Sequence, residues 1–425
     1  MRRFIAQTQL ALPSMLLMAW MCIFTTPATA QTGNDSKDER GITFVGIGEL
    51  IGQYNTTGGI ETGGALNFRI VGEANFKLEP LAGLKGSEIM ISGALNYGED
   101  INDKVGAIIS LDQFRGDELR LYELYWSQFW ADEQVNLKFG RLGMGPFEWG
   151  HTAYNNDFLS NAYQAASGGF YVNQPVVQFS WPIATWGARV LIEPKDEDYS
   201  VRLGVYNGWP RDLGADDNGI DFSFNLEEST FLIGEFNWKL NQDPEDQGLP
   251  GNYKIGFMQD TGPFDRFDDP GATKRGNSGY YIIVDQMVRR EKVPGDLPDD
   301  HPANWKVGFH PSHPQPTDQG LYVWGGFIAN PDKAINIAPY WVTGGLSYKG
   351  LFPGRDADRT GIGSYYAFFS SDTPLDYEFH TELYHHLQFT PKVNLSLDIQ
   401  YIVNPGGLGT PNALVVGAWL HFVLG

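Results

Sequence analysis

The stretch that decides the fold is Val393-Asn394-Leu395-Ser396-Leu397-Asp398-Ile399-Gln400-Tyr401-Ile402-Val403. Its odd positions are apolar, and polar residues fill most of the even positions. Because successive side chains of a β-strand point to opposite faces, this alternation predicts a strand with one apolar and one polar face. The stretch has about the length that a tilted strand needs to cross a bilayer, roughly 9–11 residues. The turn-forming Asn404-Pro405-Gly406-Gly407 ends it.

The same alternation recurs along the chain and predicts about sixteen strands. An even number is what a single-chain bacterial outer-membrane barrel requires. The predicted strands are 43–53, 65–78, 88–97, 119–130, 135–141, 184–193, 199–207, 230–240, 252–259, 279–289, 321–329, 338–349, 360–369, 377–389, 393–403 and 412–424. We therefore predict an all-β fold, a closed antiparallel transmembrane β-barrel.

The connections between the predicted strands alternate in length, as the short periplasmic turns and long outer loops of such barrels do. Short turns are predicted at 131–133, 194–198 and 390–392, and long loops at 98–118, 142–183, 208–229 and 260–278. The segment 291–319 breaks the rule, because it is long and falls on the short-turn side. It indicates either a hairpin that the pattern does not reveal or a periplasmic insertion.

The N-terminus predicts export. Arg2 and Arg3 form a charged start, residues 10–24 are mostly apolar, and Ala28-Thr29-Ala30 is a small-residue cleavage site. We therefore predict a cleaved signal peptide over 1–30, in preference to a signal anchor, for which the apolar stretch is short. Residues 31–41 are predicted to be a flexible tail, and 31–425 a single barrel domain.

Cysteine content and charge exclude several classes of protein. The only cysteine, Cys22, lies within the predicted signal, so the exported chain has no disulfide framework and no thiol chemistry. The formal net charge of −21 argues against a nucleic-acid partner. These observations leave an outer-membrane barrel of a Gram-negative bacterium or a secreted all-β protein.

Clean alternation also assigns side chains to the two faces of the predicted wall. In 377–389, Phe379 faces lipid whereas Glu378 and Glu382 face the lumen, and Lys138 faces the lumen from another strand. Because unpaired buried charges are costly, a lumen lined by ionic groups is expected to be filled with water. A barrel of about 16 strands is wide enough for an aqueous channel.

The predicted 142–183 loop carries the densest group of candidate sugar-contacting residues. Aromatic rings stack on sugar rings, while carboxylates, amides and Arg pair with hydroxyl groups. A loop that folds into the bore with such side chains would form a sugar-sized constriction. In the alternative, Trp149 and Tyr154 pin the loop to the inner wall and contact no solute. The candidates are Phe147, Glu148, Trp149, His151, Asn155 and Asp157.

Charged side chains predicted to face the lumen complete the candidate constriction. The alternative for each of them is a structural ion pair that braces the inner wall. The motifs of nucleophilic, zinc-dependent and phosphate-binding enzymes are not found, so no catalytic residue, metal site or cofactor is predicted. The charged candidates are Arg69, Glu123, Arg141, Arg189, Arg202, Glu378 and Glu382.

Motifs spread over most of the chain add a family resemblance. They are Leu121-Tyr122-Glu123-Leu124-Tyr125, Phe139-Gly140-Arg141, Gly204-Val205-Tyr206-Asn207-Gly208, Gly350-Leu351-Phe352-Pro353-Gly354-Arg355, Glu382-Leu383-Tyr384, and the stretch from Asp398 to Gly407. With these motifs the chain resembles the carbohydrate-selective outer-membrane porins, the OprB-type glucose porins. The resemblance implies a sixteen-stranded porin that passes mono- and oligosaccharides by diffusion. The chain departs from the family in ending Val423-Leu424-Gly425 and in carrying the 291–319 segment.

The sequence therefore predicts an outer-membrane porin for facilitated diffusion of mono- and oligosaccharides through a water-filled, loop-constricted barrel. A general cation-preferring porin is one alternative, favoured by the negative net charge. A secreted sugar-binding or sugar-cleaving β-protein is the other. The predicted partners are carbohydrate solutes and outer-membrane lipid, with no nucleic acid, and the sequence leaves open whether the barrel is a monomer or a homotrimer.

Overall fold

Sixteen antiparallel strands close into a barrel in a computed structural model of the chain. The structure describes residues 41–112, 118–144, 148–152, 157–163, 167–174, 183–195, 197–208, 218–224, 226–242, 246, 248–291 and 319–424. Each strand pairs with its neighbours in sequence, and the first strand pairs with the last. The strands are β1 Ile42–Thr57, β2 Gly63–Lys77, β3 Ser87–Gly98, β4 Glu118–Trp130, β5 Val135–Leu142, β6 Thr185–Ile192, β7 Tyr199–Asn207, β8 Thr230–Leu240, β9 Gly251–Asp265, β10 Thr273–Arg290, β11 Gly320–Ala329, β12 Tyr340–Lys349, β13 Arg359–Phe368, β14 Tyr377–Thr390, β15 Val393–Val403 and β16 Ala413–Leu424.

In the part of the chain that the structure describes, helical structure is confined to short segments in the connections. They are α1 Leu78–Ala82, α2 Asn102–Val105, α3 Ser167–Asn173 and a 3-10 turn at Pro405–Gly407. Of the described helices, not one has the length and apolar character that a membrane crossing requires. The predicted signal peptide, the tail up to residue 40 and residues 292–318 lie outside the described residues, so these predictions stay predictions.

Every predicted strand is present, which confirms the fold. The largest difference concerns the predicted loop 260–278, most of which is strand. β9 continues to Asp265 and β10 begins at Thr273, and these two residues pair with each other. The stretch Asp260-Thr261-Gly262-Pro263-Phe264-Asp265 lacks the apolar–polar alternation by which a strand is recognised in a sequence, although its backbone pairing continues.

The wall has an apolar outer face and a polar inner face, as the alternation predicts. On β14 the inward Glu378 and Glu382 are fully buried, whereas the outward Leu383 is 46% exposed. Outward residues of β15, such as Leu397 and Ile399, are equally exposed. An apolar surface that surrounds the whole barrel fits lipid and argues against the secreted-protein alternative.

An aromatic core fills part of the bore. Aromatic side chains of the 142–183 loop pack on the inner faces of β11 to β14. The Phe158 ring lies 4.6 Å from Tyr163, 5.3 Å from Trp324 and 4.8 Å from Tyr384, centroid to centroid. The core could not be predicted from the sequence, because its members are loop residues and inward aromatic residues from strands that are distant in sequence.

The wall is lowest at β5, β6 and β7, which have 8, 8 and 9 residues. β5 ends at Leu142, where the chain turns into the barrel. The first residues of β4, which pair with β3 on one side, therefore have no β5 residue opposite them on the other side. The 218–224 segment occupies that place, and the Leu121 N–H donates to the Asn218 carbonyl at 2.9 Å. On the outer face, the Phe222 ring packs 6.3 Å from Trp186.

Candidate functional site

The 142–183 loop enters the bore directly after β5. The Gly143 N–H donates to the Glu123 carboxylate of β4 at 2.8 Å, and this bond fixes the point of departure. Six residues later, Trp149 and its neighbours lie against the inner faces of β7 and β8. The loop therefore crosses part of the lumen near the low side of the wall.

A carboxylate surrounded by three cations lies at the start of this loop, and we name Glu148, Lys138, Arg189 and Arg202 the Glu148 cluster. Lys138 forms an ion pair with Glu148, and the Arg189 Nε and Nη2 donate to its two oxygens at 3.0 and 3.2 Å. Burial opposes ionisation of Glu148, but the charges of Arg189, Lys138 and Arg202 outweigh it and hold the pKa of the carboxyl well below its usual range. The cluster therefore carries fixed charges of both signs.

Part of the Glu148 cluster remains open to solvent. The side chains of Lys138, Glu148 and Arg202 are 20%, 17% and 16% exposed, whereas Arg189 is 5% exposed. The Lys138 ammonium lies 4.8 Å from the centroid of the half-buried Tyr125 ring. Donors, an acceptor and an aromatic face thus meet at one partly open patch, which has the composition that recognises a hydroxylated solute.

The backbone beside Glu148 is bound to the wall at successive residues. Arg202 donates to the Glu148 carbonyl, and the Gly150 N–H donates to the Glu235 carboxylate at 2.7 Å. The Lys254 ammonium donates to the His151 carbonyl at 2.5 Å. These partners come from β7, β8 and β9, so three neighbouring strands hold the turn at 148–151.

Trp149 is an anchor of the loop, which corrects the stacking role proposed for it. Its side chain is 1% exposed, its Nε1 donates to the Tyr206 hydroxyl at 3.0 Å, and the Arg202 guanidinium lies 5.7 Å from its ring. Gly204 supplies the space for the ring, because a Cβ there would lie 2.6 Å from Trp149. A ring enclosed in this way has no face available to a sugar.

Asp157 and Glu382 attach the far part of the loop to the opposite wall. The Asp157 carboxylate is buried in an ion pair with Arg359 at 2.7 Å and accepts from the Tyr384 hydroxyl at 3.1 Å. Glu382 accepts from the N–H groups of Leu159 and Ser160 at 2.6 and 3.2 Å. Both carboxylates therefore brace the inner wall, because the bonds that they form join the loop to the wall.

Two further candidates lie away from the Glu148 cluster. Glu378 accepts from the Ile108 N–H at 2.9 Å and from the Tyr365 hydroxyl at 2.6 Å, so it holds the connection between β3 and β4. Arg69 forms a buried ion pair with Glu49 of β1. Both are braces of the inner wall.

Arg141 lies on the outer side of the wall, contrary to its predicted place in the lumen. It pairs with Trp186 of β6, whose ring packs against the outward, 53% exposed Phe139. Its guanidinium donates to the Asp221 carbonyl and lies 5.3 Å from the Phe222 ring. By alternation from Lys138 the position is outward, and its charge is accommodated by the loop that covers it.

Three candidates remain, His151, Phe147 and Asn155, and the structure describes only the first of them. His151 contributes its carbonyl to Lys254, as given above, and its side chain is half-buried. Phe147 and Asn155 lie outside the described residues. Among the described residues, no group of three His, Asp or Glu side chains is placed to hold a metal ion.

The sequence argument missed two members of the open patch and one anchor. Alternation placed Lys138 inside, but nothing in the sequence distinguished it from other lumenal charges. Tyr125 faces inward because a register shift between Ile91 and Gly93 changes the alternation along β4. Glu235 sits in a regular strand pattern, so its inward direction was predictable and its partner in the loop was not.

Comparisons with known proteins agree with this architecture. The chain is 25% identical to Porin B of Pseudomonas aeruginosa over 390 residues, which cover 81% of this chain and 79% of that protein. It is also 25% identical over 395 residues to the putative porin QuiX of Acinetobacter baylyi, covering 84% and 82% of the two chains. In each case the likeness extends over most of both chains.

Solved structures share the fold. The high-pH structure of Pseudomonas putida OprB matches with a TM-score of 0.77 and 21% identity, covering 91% of this chain and 95% of that one. The sequence model described as "Carbohydrate-selective porin, OprB family" matches residues 69–424, which include β3 to β16 and most of β2. The chain therefore belongs to the OprB family of carbohydrate-selective porins.

Proposed function

We propose that the chain passes mono- and oligosaccharides across the outer membrane by facilitated diffusion, with the open patch of the Glu148 cluster as the narrow, sugar-contacting part of its path. The observation that carries this proposal is the partial exposure of Lys138, Glu148 and Arg202 beside the Tyr125 ring. Membership of the carbohydrate-selective family supports the class of solute.

The chemistry of the patch suits transient contact with hydroxyl groups. The carboxylate accepts hydrogen bonds, the two exposed cations donate them, and the ring face of Tyr125 suits the apolar face of a sugar. Because Glu148 is already neutralised by its cations, a passing sugar exchanges water for protein groups without having to neutralise a charge. Contacts of this strength favour entry without blocking release, which a channel requires.

The Glu148→Gln substitution tests the contact role. It removes an ionised acceptor and leaves three cations facing a neutral amide, so we expect glucose to bind more weakly. Hydrogen bonds to charged groups contribute roughly 1.5–3 kcal/mol, so the half-saturating glucose concentration should rise by about tenfold or more. The measurement is glucose flux into proteoliposomes as a function of glucose concentration.

The Glu88→Gln variant is the matched control. Glu88 is a carboxylate near the short-turn end of the same wall, and it accepts from the Asn75 amide at 3.1 Å, away from the loop. Its saturation curve should equal that of the unchanged protein. An unchanged curve for Glu148→Gln would remove the cluster from the sugar path.

Export and passive passage complete the proposal. We expect the signal peptide at 1–30 to be cleaved, so that the protein recovered from outer membranes begins at Gln31 by N-terminal mass analysis. Passage is expected to leave the sugar chemically unchanged, because the proposed path offers contacts and no reaction. Recovery of altered sugar from the liposomes would contradict the channel role.

A further inference from the structure

The turn at 148–151 is held by Arg202 of the Glu148 cluster and by two buried charged side chains outside the exposed patch, Glu235 and Lys254. Glu235 is the central one, with its side chain 4% exposed. Its Oε2 accepts from the Gly150 N–H at 2.7 Å and from the Tyr281 hydroxyl at 2.8 Å, while its Oε1 lies 3.5 Å from the Arg202 Nη1. One carboxylate therefore connects the turn, β10 and the Glu148 cluster.

The three donors around Glu235 require a carboxylate, and an amide in its place could not accept from all of them. An amide has one acceptor oxygen and one NH2 group. If that oxygen receives the Gly150 N–H and the Tyr281 hydroxyl, the NH2 group faces the Arg202 guanidinium. If the amide is turned round, the NH2 group faces the Gly150 N–H, which can only donate. A neutral side chain of the same size thus leaves donors opposed in either orientation.

The hydrogen bonds to the residues on either side of Gly150 also hold the turn against the wall. Arg202 binds the Glu148 carbonyl, and Lys254, whose charge interacts with that of Glu235, binds the His151 carbonyl. The backbone is therefore restrained before, at and after Gly150. Since the Glu148 side chain projects from this restrained turn, its position in the bore depends in part on Glu235 and Lys254, which are buried and lie outside the exposed patch.

We propose that Glu235 is a positioning residue that sets the width of the bore at the Glu148 cluster, and with it the largest sugar that passes. The inference rests on the proposed function, because it assigns the size limit to the same part of the path. The side chain acts through the Gly150 N–H and contacts no sugar. Release of the turn would let residues 148–151 move from the wall and would change which solutes fit.

Glu235→Gln tests the proposal with a readout of solute size. Loss of a hydrogen bond to a buried charged group shifts a local equilibrium by roughly tenfold or more, so the ratio of disaccharide to monosaccharide flux should change by about that factor. The measurement is swelling of proteoliposomes in maltose and in glucose. Heat-modifiable migration on gels verifies that the barrel is folded.

Glu378→Gln is the matched control. Glu378 is also a fully buried inward carboxylate that accepts from backbone N–H groups and from a tyrosine hydroxyl, but it binds Ile108 and Gly406 rather than the turn. Its flux ratio should equal that of the unchanged protein. An unchanged ratio for Glu235→Gln, or an equal change for both variants, would overturn the positioning role.

A milder substitution keeps the test decisive if Glu235→Gln does not fold. Tyr281→Phe removes one donor to Glu235 and should change the flux ratio by a smaller factor than Glu235→Gln, and no change there overturns the proposal. The proposed contact role of Glu148 and the proposed positioning role of Glu235 can be disproved independently of each other. The contact role is judged by glucose saturation in Glu148→Gln, whereas the positioning role is judged by the size ratio.

Discussion

Replacing Arg359 by Met should destabilise the barrel by about 3–5 kcal/mol, because it leaves a buried carboxylate without its charge partner. Asp157 and Arg359 are 1% and 4% exposed, and two hydrogen bonds of 2.9 Å join the Arg359 Nε to the Asp157 oxygens. Among the residues that the structure describes, the Tyr384 hydroxyl would remain as a hydrogen-bond donor to the carboxylate. Urea unfolding of the barrel in detergent micelles measures the loss.

The double variant Asp157→Asn with Arg359→Met separates the uncompensated charge from other consequences of the substitution. Removing the carboxylate charge as well should recover most of the lost stability, since no ion is then buried alone. We also expect single Arg359→Met channels to show larger and noisier conductance, because the far part of the loop loses one of its attachments to the wall and keeps the bonds to Glu382. Equal stability of Arg359→Met and the unchanged protein would show that the pair does not hold the loop.

Replacing Trp149 by Ala should increase general leakage through the channel as well as lower stability. The ring is enclosed, so its removal creates a cavity, and substitutions of this kind cost roughly 3–5 kcal/mol. It also removes the hydrogen bond to Tyr206 and the ring beside Arg202. The loop loses the anchor next to Glu148, so flux of every small solute should rise. Swelling rates with glucose, maltose and an amino acid measure this.

Trp149→Phe is the informative companion of that variant. It retains most of the buried ring and loses only the indole N–H, so leakage should rise much less than in Trp149→Ala. A stacking role would give another result, namely weaker glucose saturation with general leakage unchanged. If Trp149→Ala gave that pattern, the anchoring role derived from its burial would be wrong.

Most of the barrel was predictable from the sequence because one physical rule governs every strand. A wall between lipid and lumen alternates in polarity, and β15 follows that rule over most of its length. Prediction failed where the rule has no force. At 260–278 the residues do not alternate in polarity, so the paired ends of β9 and β10 resemble a loop in composition.

The candidate site was less predictable, because its members are brought together by contacts between distant parts of the chain. Glu148 and Arg202 are 54 residues apart, and the bond between them depends on how the loop lies in the bore. Residue type was a poor guide to role. Trp149 has the chemistry of a sugar platform and serves as an anchor, while Tyr125 is the aromatic residue that the bore leaves partly open.

The low side of the wall has a consequence for the surrounding bilayer. Eight residues at roughly 3.3 Å each, tilted by about 45°, rise only about 19 Å, which is less than the apolar band of roughly 25 Å typical of such proteins. Ile220, Phe222 and Phe224, which are 66%, 44% and 58% exposed, lie in the segment that covers the top of this region. These side chains extend the apolar outer surface beyond the ends of the short strands. We therefore expect the adjacent bilayer to keep its normal thickness, where the strands alone would produce a hydrophobic mismatch.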